Sequence, residues 1–300
     1  MRAFYSDPNP LPLPAGHRFP AEKYHELRRR LTSSGILAGA DILQAEPAPW
    51  SSLLAVHTPD YVRRVALGQL TEREIRRLGL PWSRSLVARA FRSVGATLAA
   101  CRRAQEAGIA ANLGGGTHHA FPDHGAGYCV FNDVAVAARR MQREGRAARV
   151  LIVDADVHQG DGTAAVFQDD PTVFTFSIHG QGNFPFRKVA GDLDVGLPDG
   201  TGDRAFLEAF ASALALALER SRPDLLIYIA GADPHAGDRL GRLRLTAEGL
   251  AARDQMVFAL GRRYGLPIAV TLGGGYGRDA SDTVAVYAQT IALAVEVERA

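Results

Sequence analysis

Short apolar segments alternate with longer helical patterns along the chain, and this alternation constrains the fold more than any other feature of the sequence. The predicted strands cover residues 109–113, 149–154, 172–178, 225–230 and 268–272. These strands are continuously apolar, as expected when both faces of a parallel sheet are covered. The predicted helices cover residues 21–31, 86–107, 133–143, 204–220, 247–264 and 281–298. The pattern predicts an α/β fold with a central parallel sheet flanked by helices on both faces.

Length and charge limit the domain organisation and the kinds of partner. The 300 residues contain no low-complexity linker and no internal repeat, so we expect one domain over residues 1–300. The formal charge of +2 is too small to indicate a nucleic-acid partner. The arginine-rich runs at 28–30 and 73–77 are expected on solvated helix faces.

Apolar segments and cysteines indicate the compartment. No apolar run reaches the ~18 residues that a membrane-spanning helix needs, and no secretory signal peptide is recognisable. The two cysteines, Cys101 and Cys129, are too few for a disulfide framework, which fits a reducing compartment. We therefore expect a cytoplasmic protein without a membrane partner, and the sequence specifies no oligomeric state.

Most of the unusual polar residues come directly after a predicted strand. They lie in the segments 114–119, 154–162, 177–179, 231–233 and 273–276. In open parallel sheets, ligands bind outside the carboxyl ends of the strands. The five segments are therefore expected to meet at one functional site.

The segment 154–158 is the strongest indication of a metal. Residues two apart in an extended chain point the same way, so Asp156 and His158 can hold one ion. Asp233, after another strand, could supply a third ligand. Three protein ligands and an open fourth position are typical of catalytic zinc, which activates water and polarises a carbonyl group. The alternative is that the acidic residues cap turns and His158 is an ordinary buried polar side chain.

Two adjacent histidines and one tyrosine are candidates for the remaining chemistry. His118 and His119 follow three glycines and could exchange protons near neutral pH. Asp154 and Asp161 could orient their rings by hydrogen bonds. Tyr276, after Gly273–Gly275, could donate a hydrogen bond to a developing oxyanion. The alternatives are a surface histidine pair and a core tyrosine; neither glycine run has the spacing of a nucleotide-binding loop.

At these motifs the chain resembles the histone deacetylase family, which includes acetylpolyamine amidohydrolases and acetoin-utilisation proteins. The similarity runs from His17 to Tyr276 and includes Gly-Gly-Gly-Thr-His-His at 114–119 and Phe-Asn-Asp at 131–133. It continues with Asp-Ala-Asp-Val-His at 154–158 and Leu-Gly-Gly-Gly-Tyr at 272–276. The stretch 237–241 is similar to the class IV branch and its bacterial relatives. The resemblance implies an arginase-like fold.

The resemblance also implies roles for individual residues. Asp156, His158 and Asp233 would bind zinc; His119 would act as general base and then acid; His118 would give electrostatic help. Asp154 and Asp161 would support the histidines, and Tyr276 would polarise the acyl carbonyl. A structural potassium ion would bind Asp154, the backbone of Asp156 and His158, Ser177 and Ile178. The walls of the acyl channel would include Gly127, Tyr128 and Phe184.

The implied reaction is hydrolysis of an acyl-lysine side chain in a protein, and other functions remain open. One alternative is hydrolysis of small acyl amines such as acetylpolyamines. Another is a binding protein for acyl-lysine that has no activity, although such a protein would usually lose Tyr276 or a histidine. An arginase-type enzyme would need two metals and a second acidic residue near Asp233, where this chain has Pro234 and His235.

Overall fold

The structure is a computed structural model that describes residues 1–8 and 11–299. Its strands are β1 (Ala3–Tyr5), β2 (Ile42–Gln44), β3 (Ile109–Asn112), β4 (Val150–Asp154), β5 (Val173–Gly180), β6 (Leu193–Leu197), β7 (Leu225–Ile229) and β8 (Ile268–Thr271). They form one sheet in the order β2-β1-β3-β8-β7-β4-β5-β6, and every neighbouring pair is parallel. The predicted parallel α/β fold is confirmed.

The helices between the strands complete the crossovers that parallel pairing requires. They are α1 (Lys23–Ser33), α2 (Trp50–Leu53), α3 (Pro59–Leu67), α4 (Glu72–Leu78), α5 (Arg84–Ala107), α6 (Asp133–Arg143), α7 (Asp161–Phe167), α8 (Asp203–Ser221), α9 (Ala247–Tyr264) and α10 (Ala280–Arg299). A short 3₁₀ turn covers Gly39–Asp41. Among the described residues, no helix is both long enough and apolar enough to cross a membrane.

The sheet has a hydrophobic core on each face. Alternate residues of one strand enter different cores: Leu151 and Val153 pack with α1, α8, α9 and α10, whereas Val150 and Ile152 pack with α3, α5 and α6. Both faces of the central strands are therefore buried, which explains why β3, β4, β7 and β8 read as continuous apolar runs.

The polar segments gather at the carboxyl edge of the sheet. The strands β3, β8, β7, β4 and β5 are consecutive neighbours in the sheet, and each predicted segment follows or ends one of them. The register places Ile229 beside both Asp154 and Thr271, so the loops after β7, β4 and β8 start at the same level. This alignment brings residues that are distant in sequence to one site.

Candidate functional site

The carboxyl ends of β4 and β7 bring together three side chains that could hold a metal ion. Ligand atoms of Asp156, His158 and Asp233 all lie within 4.8 Å of one another, and all three residues are buried. The Nδ1 atom of His158 lies 2.9 Å from Oδ1 of Asp156 and 3.1 Å from Oδ2 of Asp233. Asp233 also accepts a 2.9 Å hydrogen bond from the backbone N–H of Val157, which joins the two loops.

The electrostatics of this cluster favour a bound cation. Burial, together with the charge of Asp156, raises the pKa of Asp233 to about 7. Burial alone would lower the pKa of His158, but Asp156 and Asp233 outweigh it and raise that pKa to about 10. Buried carboxylates are stable only when they are paired or bind a metal, and a metal ion would replace the proton on His158. One imidazole nitrogen and two carboxylates fit the ligand preference of zinc.

A glycine after β8 allows the backbone to approach this cluster. The N–H of Gly274 donates to Oδ2 of Asp156 over 2.6 Å. A Cβ atom at Gly274 would lie 2.0 Å from Oδ2 of Asp233. No larger residue fits there without displacing the acidic side chains, so the glycine run allows Tyr276 to lie close to this acidic cluster.

Each of the two adjacent histidines is paired with its own carboxylate. His118 Nδ1 donates to Asp154 and His119 Nδ1 donates to Asp161, both over 2.6 Å. The two rings lie 4.1 Å apart between centroids, and both residues are buried. In each histidine the bonded Nδ1 leaves Nε2 available, so the carboxylate fixes both the orientation and the tautomer of the ring.

The two histidines differ in proton affinity. Burial would lower the pKa of His118, but the charges of Asp154 and Asp156 raise it to about 9. Burial and the nearby charge of His118 lower the pKa of His119 to about 4, against the effect of Asp161. These opposite shifts favour the proton on His118 over the proton on His119.

A cavity of about 490 Å³ connects these groups to the surface. Its wall includes both histidines, Tyr276 and the predicted channel residues Gly127, Tyr128 and Phe184. The Phe184 ring lies 4.8 Å from the ring of His119, and the Tyr128 ring lies 5.8 Å from that of Tyr276. Tyr128 has a φ of 67°, which is uncommon for a residue other than glycine and is typically retained at functional sites.

The loop that carries the histidines is fixed by Asp133, a residue whose role the sequence analysis did not predict. Its carboxylate accepts hydrogen bonds from the backbone of Gly116 and Thr117 and from the side chains of Thr97 and Thr117, over 2.5–3.1 Å. Asp133 is fully buried at the start of α6. Its place in the Phe-Asn-Asp motif was the only sequence signal for this role.

Two buried cations behind the site were also missed. Arg253, on α9, donates to the carbonyl groups of Ala155 and Gly231 over 3.1 and 2.7 Å. Lys23, on α1, donates to the carbonyl group of Gly275 over 2.9 Å, and its Nζ atom lies 5.2 Å from the centroid of the Tyr276 ring. Both hold backbone carbonyl groups, a role that the sequence analysis did not predict for either residue.

The residues predicted to bind a second cation lie behind the histidine pair. The register of β4 and β5 sets Asp154 beside Ser177, and Ile178 is the next residue of β5. Among residues 1–8 and 11–299, no donor reaches the buried carbonyl oxygens of Asp156 or His158. Unpartnered buried carbonyl groups near a carboxylate fit a hard cation that binds oxygen.

Comparisons with known proteins agree with this arrangement. Residues 17–292 match the family model described as the histone deacetylase domain. An uncharacterized protein of Picosynechococcus is 46% identical over 273 residues, which are 91% of each chain. Histone deacetylase 2 of Arabidopsis thaliana is 30% identical over 278 residues, 90% of this chain and 72% of the relative. The crystal structure of the HDA15 HD domain aligns with a TM-score of 0.82 at 24% identity, covering 100% of this chain and 91% of that one.

Proposed function

Because the chain belongs to the histone deacetylase family, we propose that it is a zinc-dependent hydrolase that removes acyl groups from lysine side chains. The observation that carries the proposal is that ligand atoms of Asp156, His158 and Asp233 lie within 4.8 Å of one another. Asp156 and His158 line the same cavity as His119 and Tyr276. Deacetylase chemistry requires a Lewis acid, a proton carrier and an oxyanion donor, and these groups supply all three.

We propose that Asp156, His158 and Asp233 hold the zinc ion. When bound, zinc supplies Lewis acidity, which activates water and polarises the acyl carbonyl group. The protein contributes the ligand geometry, the buried surroundings and the hydrogen bonds that orient the ligands.

His119 is proposed as the group that moves the proton. Its neutral ring accepts a proton at Nε2 from the water that attacks the acyl carbon, because Nδ1 is held by Asp161. The C–O bond forms, the C–N bond breaks, and His119 returns the proton to the leaving amine nitrogen. The direct products are the carboxylic acid and the free amine, and transfer of the acid proton to the amine leaves a carboxylate and an ammonium group. His118, kept cationic by Asp154, stabilises the negative charge that develops in this step.

Tyr276 is proposed to donate a hydrogen bond to the acyl oxygen. Burial and the charges of Asp233 and Asp156 raise the pKa of Tyr276 well above its usual range, so the phenol keeps its proton. A protonated phenol on a buried cavity wall is a suitable donor to an oxyanion.

We further propose that a potassium ion binds Asp154, Ser177, the carbonyl groups of Asp156 and His158, and Ile178. This ion would offset the negative charge of Asp154 and stiffen the loop that carries the zinc ligands. The unpartnered carbonyl oxygens of Asp156 and His158 support this proposal.

Specific residues disfavour the alternatives. An arginase-type site needs a second metal near Asp233 and therefore a further acidic ligand, but the two residues that follow are Pro234 and His235. The Nδ1 atom of His235 already accepts a 3.2 Å hydrogen bond from the backbone of Gly237. A binding protein without activity has no use for two carboxylate-paired histidines beside a protonated tyrosine.

The proposal is tested with purified protein and an acetyl-lysine peptide that has uncharged neighbouring residues. We expect release of acetate, loss of activity after treatment with a chelator, and recovery when zinc is returned. N-acetylspermidine in the same assay tests the acetylpolyamine alternative. Hydrolysis of the acetylpolyamine without hydrolysis of the peptide would replace lysine with a small amine as the substrate.

A further inference from the structure

The mouth of the cavity carries positive charge. The cavity wall includes Arg89, which is half-buried, and four exposed arginines, which we call the arginine rim: Arg18, Arg76, Arg77 and Arg242. Among the described residues that line the cavity, Asp156 is the only one with a carboxylate, and it belongs to the metal cluster. Arginine side chains are therefore the main charged groups in the wall of the channel above the metal cluster.

Backbone hydrogen bonds fix Arg77 next to one channel wall. The carbonyl group of Arg77 accepts from the N–H of Gly127 over 3.3 Å, and that of Leu78 accepts from Tyr128 over 2.8 Å. Arg77 itself is exposed. Its guanidinium group is thus carried by the segment that is bonded directly to the channel residues.

The opposite wall is fixed to Arg242 in a similar way. The N–H of Arg242 donates to Oδ1 of Asn183 over 3.1 Å, and Nδ2 of Asn183 donates to the carbonyl group of Leu240 over 2.8 Å. Asn183 immediately precedes Phe184, so the position of Arg242 is tied to that of the channel phenylalanine.

The third side of the mouth involves Arg18. Its carbonyl group accepts from Nη2 of Arg239 over 3.4 Å, and Nε of Arg239 donates to the carbonyl group of Tyr276 over 3.1 Å. Arginines therefore stand beside each of the three segments that form the channel: the loops of Tyr128, Phe184 and Tyr276.

The positive charge of the rim is only partly neutralised. Arg76 pairs with Glu72 over 3.3 Å, and Arg242 pairs with Asp199 over 3.1 Å, both as exposed pairs of the kind that contribute little binding energy. Arg18 and Arg77 make no ion pair with any carboxylate in residues 1–8 and 11–299. The whole chain has a formal charge of only +2, so this cationic mouth is a local feature and not a property of the whole surface.

From this geometry we infer that the enzyme acts on acyl-lysine residues that have aspartate or glutamate neighbours in the protein substrate. The inference rests on the proposed function. A charged cleft attracts substrates of opposite charge and repels those of like charge. Acidic neighbours of the acyl-lysine would meet the arginine rim, while Phe186, which is 83% exposed and 6.3 Å from the Phe184 ring, offers an apolar contact. Acetylpolyamines and lysine-rich histone tails are positively charged, so the arginine rim would repel them.

The test compares three acetyl-lysine peptides of equal length whose flanking residues are aspartate, glycine or lysine. We expect kcat/KM to fall in that order, with ~10-fold or more between the first and the last at low salt, and the difference to shrink at high salt. N-acetylspermidine should behave as a poor substrate. Because the comparison is a ratio for one enzyme sample, it does not depend on the fraction of active protein.

Charge-reversal variants test whether the arginine rim causes the preference for acidic peptides. The double substitution Arg77→Glu with Arg242→Glu should reduce or invert the ratio of kcat/KM for the acidic and basic peptides. The control is Arg263→Glu, which changes the charge at the end of α9, next to the amino edge of the sheet. It should leave the ratio unchanged.

Equal kcat/KM for the three peptides, or a ratio that survives the double substitution, would overturn the inference and leave the proposed deacylase function intact. Failure of wild-type protein to hydrolyse even the glycine peptide would refute the proposed function, and the inference with it.

Discussion

The Tyr276 side chain is held in place through its backbone. Its N–H donates to Asp238 over 2.5 Å and its carbonyl group accepts from Arg239 over 3.1 Å. The ring lies 6.4 Å from that of His158, on the wall of the cavity. The backbone contacts thus position the side chain, and the hydroxyl group is left for the substrate.

Tyr276→Phe should therefore lower kcat by ~10²–10³, the usual cost of losing one oxyanion donor. KM and the melting temperature should change little, because the ring and the backbone contacts remain. Steady-state kinetics and thermal unfolding check this, with Tyr264→Phe at an exposed position as the control. Activity near the wild-type level would remove the hydroxyl group from the mechanism.

The histidine pair allows a second prediction. His119→Ala should be nearly inactive while it still binds metal, because it removes the proton carrier and no metal ligand. His118→Ala should keep more activity, since its charge only assists. The measurements are kcat and metal content for both variants. If His118→Ala proved the more damaging change, the two roles would have to be exchanged.

Sequence reasoning succeeds for residues whose chemistry few side chains can supply. Their positions after strands predicted one site that contains Asp156, His158, Asp233 and the histidine pair. In the structure the first three lie within 4.8 Å of one another, and His118 and His119 bond Asp154 and Asp161 beside them. Their catalytic roles stay predictions. Lys23 and Arg253 were missed because they bind backbone carbonyl groups, and any buried cation on a helix can look like an ordinary surface residue in sequence.

At the scale of elements, α9 links the two loops that carry the proposed metal ligands. Arg253 is fully buried and bonds the carbonyl groups of Ala155 and Gly231, beside Asp156 and close to Asp233. Its Nε donates to Asp254 over 3.0 Å, and Asp254 accepts further bonds from Tyr228 and Thr290, both over 2.6 Å. The helix thereby fixes the separation of the two ligand loops.

Arg253→Gln should weaken metal binding by ~10–100-fold, the range seen when groups that orient metal ligands are removed. Competition with a chelator measures the affinity directly. Arg253→Lys should recover part of it because the charge remains, and Gln255→Ala, at an exposed position of the same helix, is the control. Unchanged affinity in a folded Arg253→Gln protein would limit this arginine to a structural role.

The elements that the sequence analysis missed are short or lie towards an edge. β1 and β2 have three residues each. β6 is an edge strand in which half-buried and exposed residues alternate. Neither pattern produces the continuous apolar run that identified the five predicted strands. α2, α3, α4 and α7 have 4–9 residues, too few turns for a clear helical period.

At the scale of the whole molecule, a metal bound by Asp156, His158 and Asp233 would connect the ends of β4 and β7. We expect one divalent ion per chain after purification without chelators. A ligand at 1,000 times its dissociation constant stabilises the folded state by ~4 kcal/mol, which corresponds to a rise of ~10 °C in melting temperature for a domain of this order of size.

Elemental analysis and thermal unfolding with and without a chelator measure both quantities. Asp156→Ala should lose the bound metal and the melting shift together. Two divalent ions per chain at full activity would contradict the single-metal site and favour an arginase-type centre.

The position of β8 has a consequence for biosynthesis. β8 lies between β3 and β7, and Ile268 pairs with Ile109 and Leu226. During translation the middle of the sheet therefore stays open until residues 268–271 have been made, and β3 and β7 each expose an unpaired edge that is prone to aggregation. Until then the nascent chain also lacks Tyr276, which follows β8. Because β8 is made late and Tyr276 follows it directly, closure of the sheet and completion of the candidate site depend on nearly the same stretch of chain.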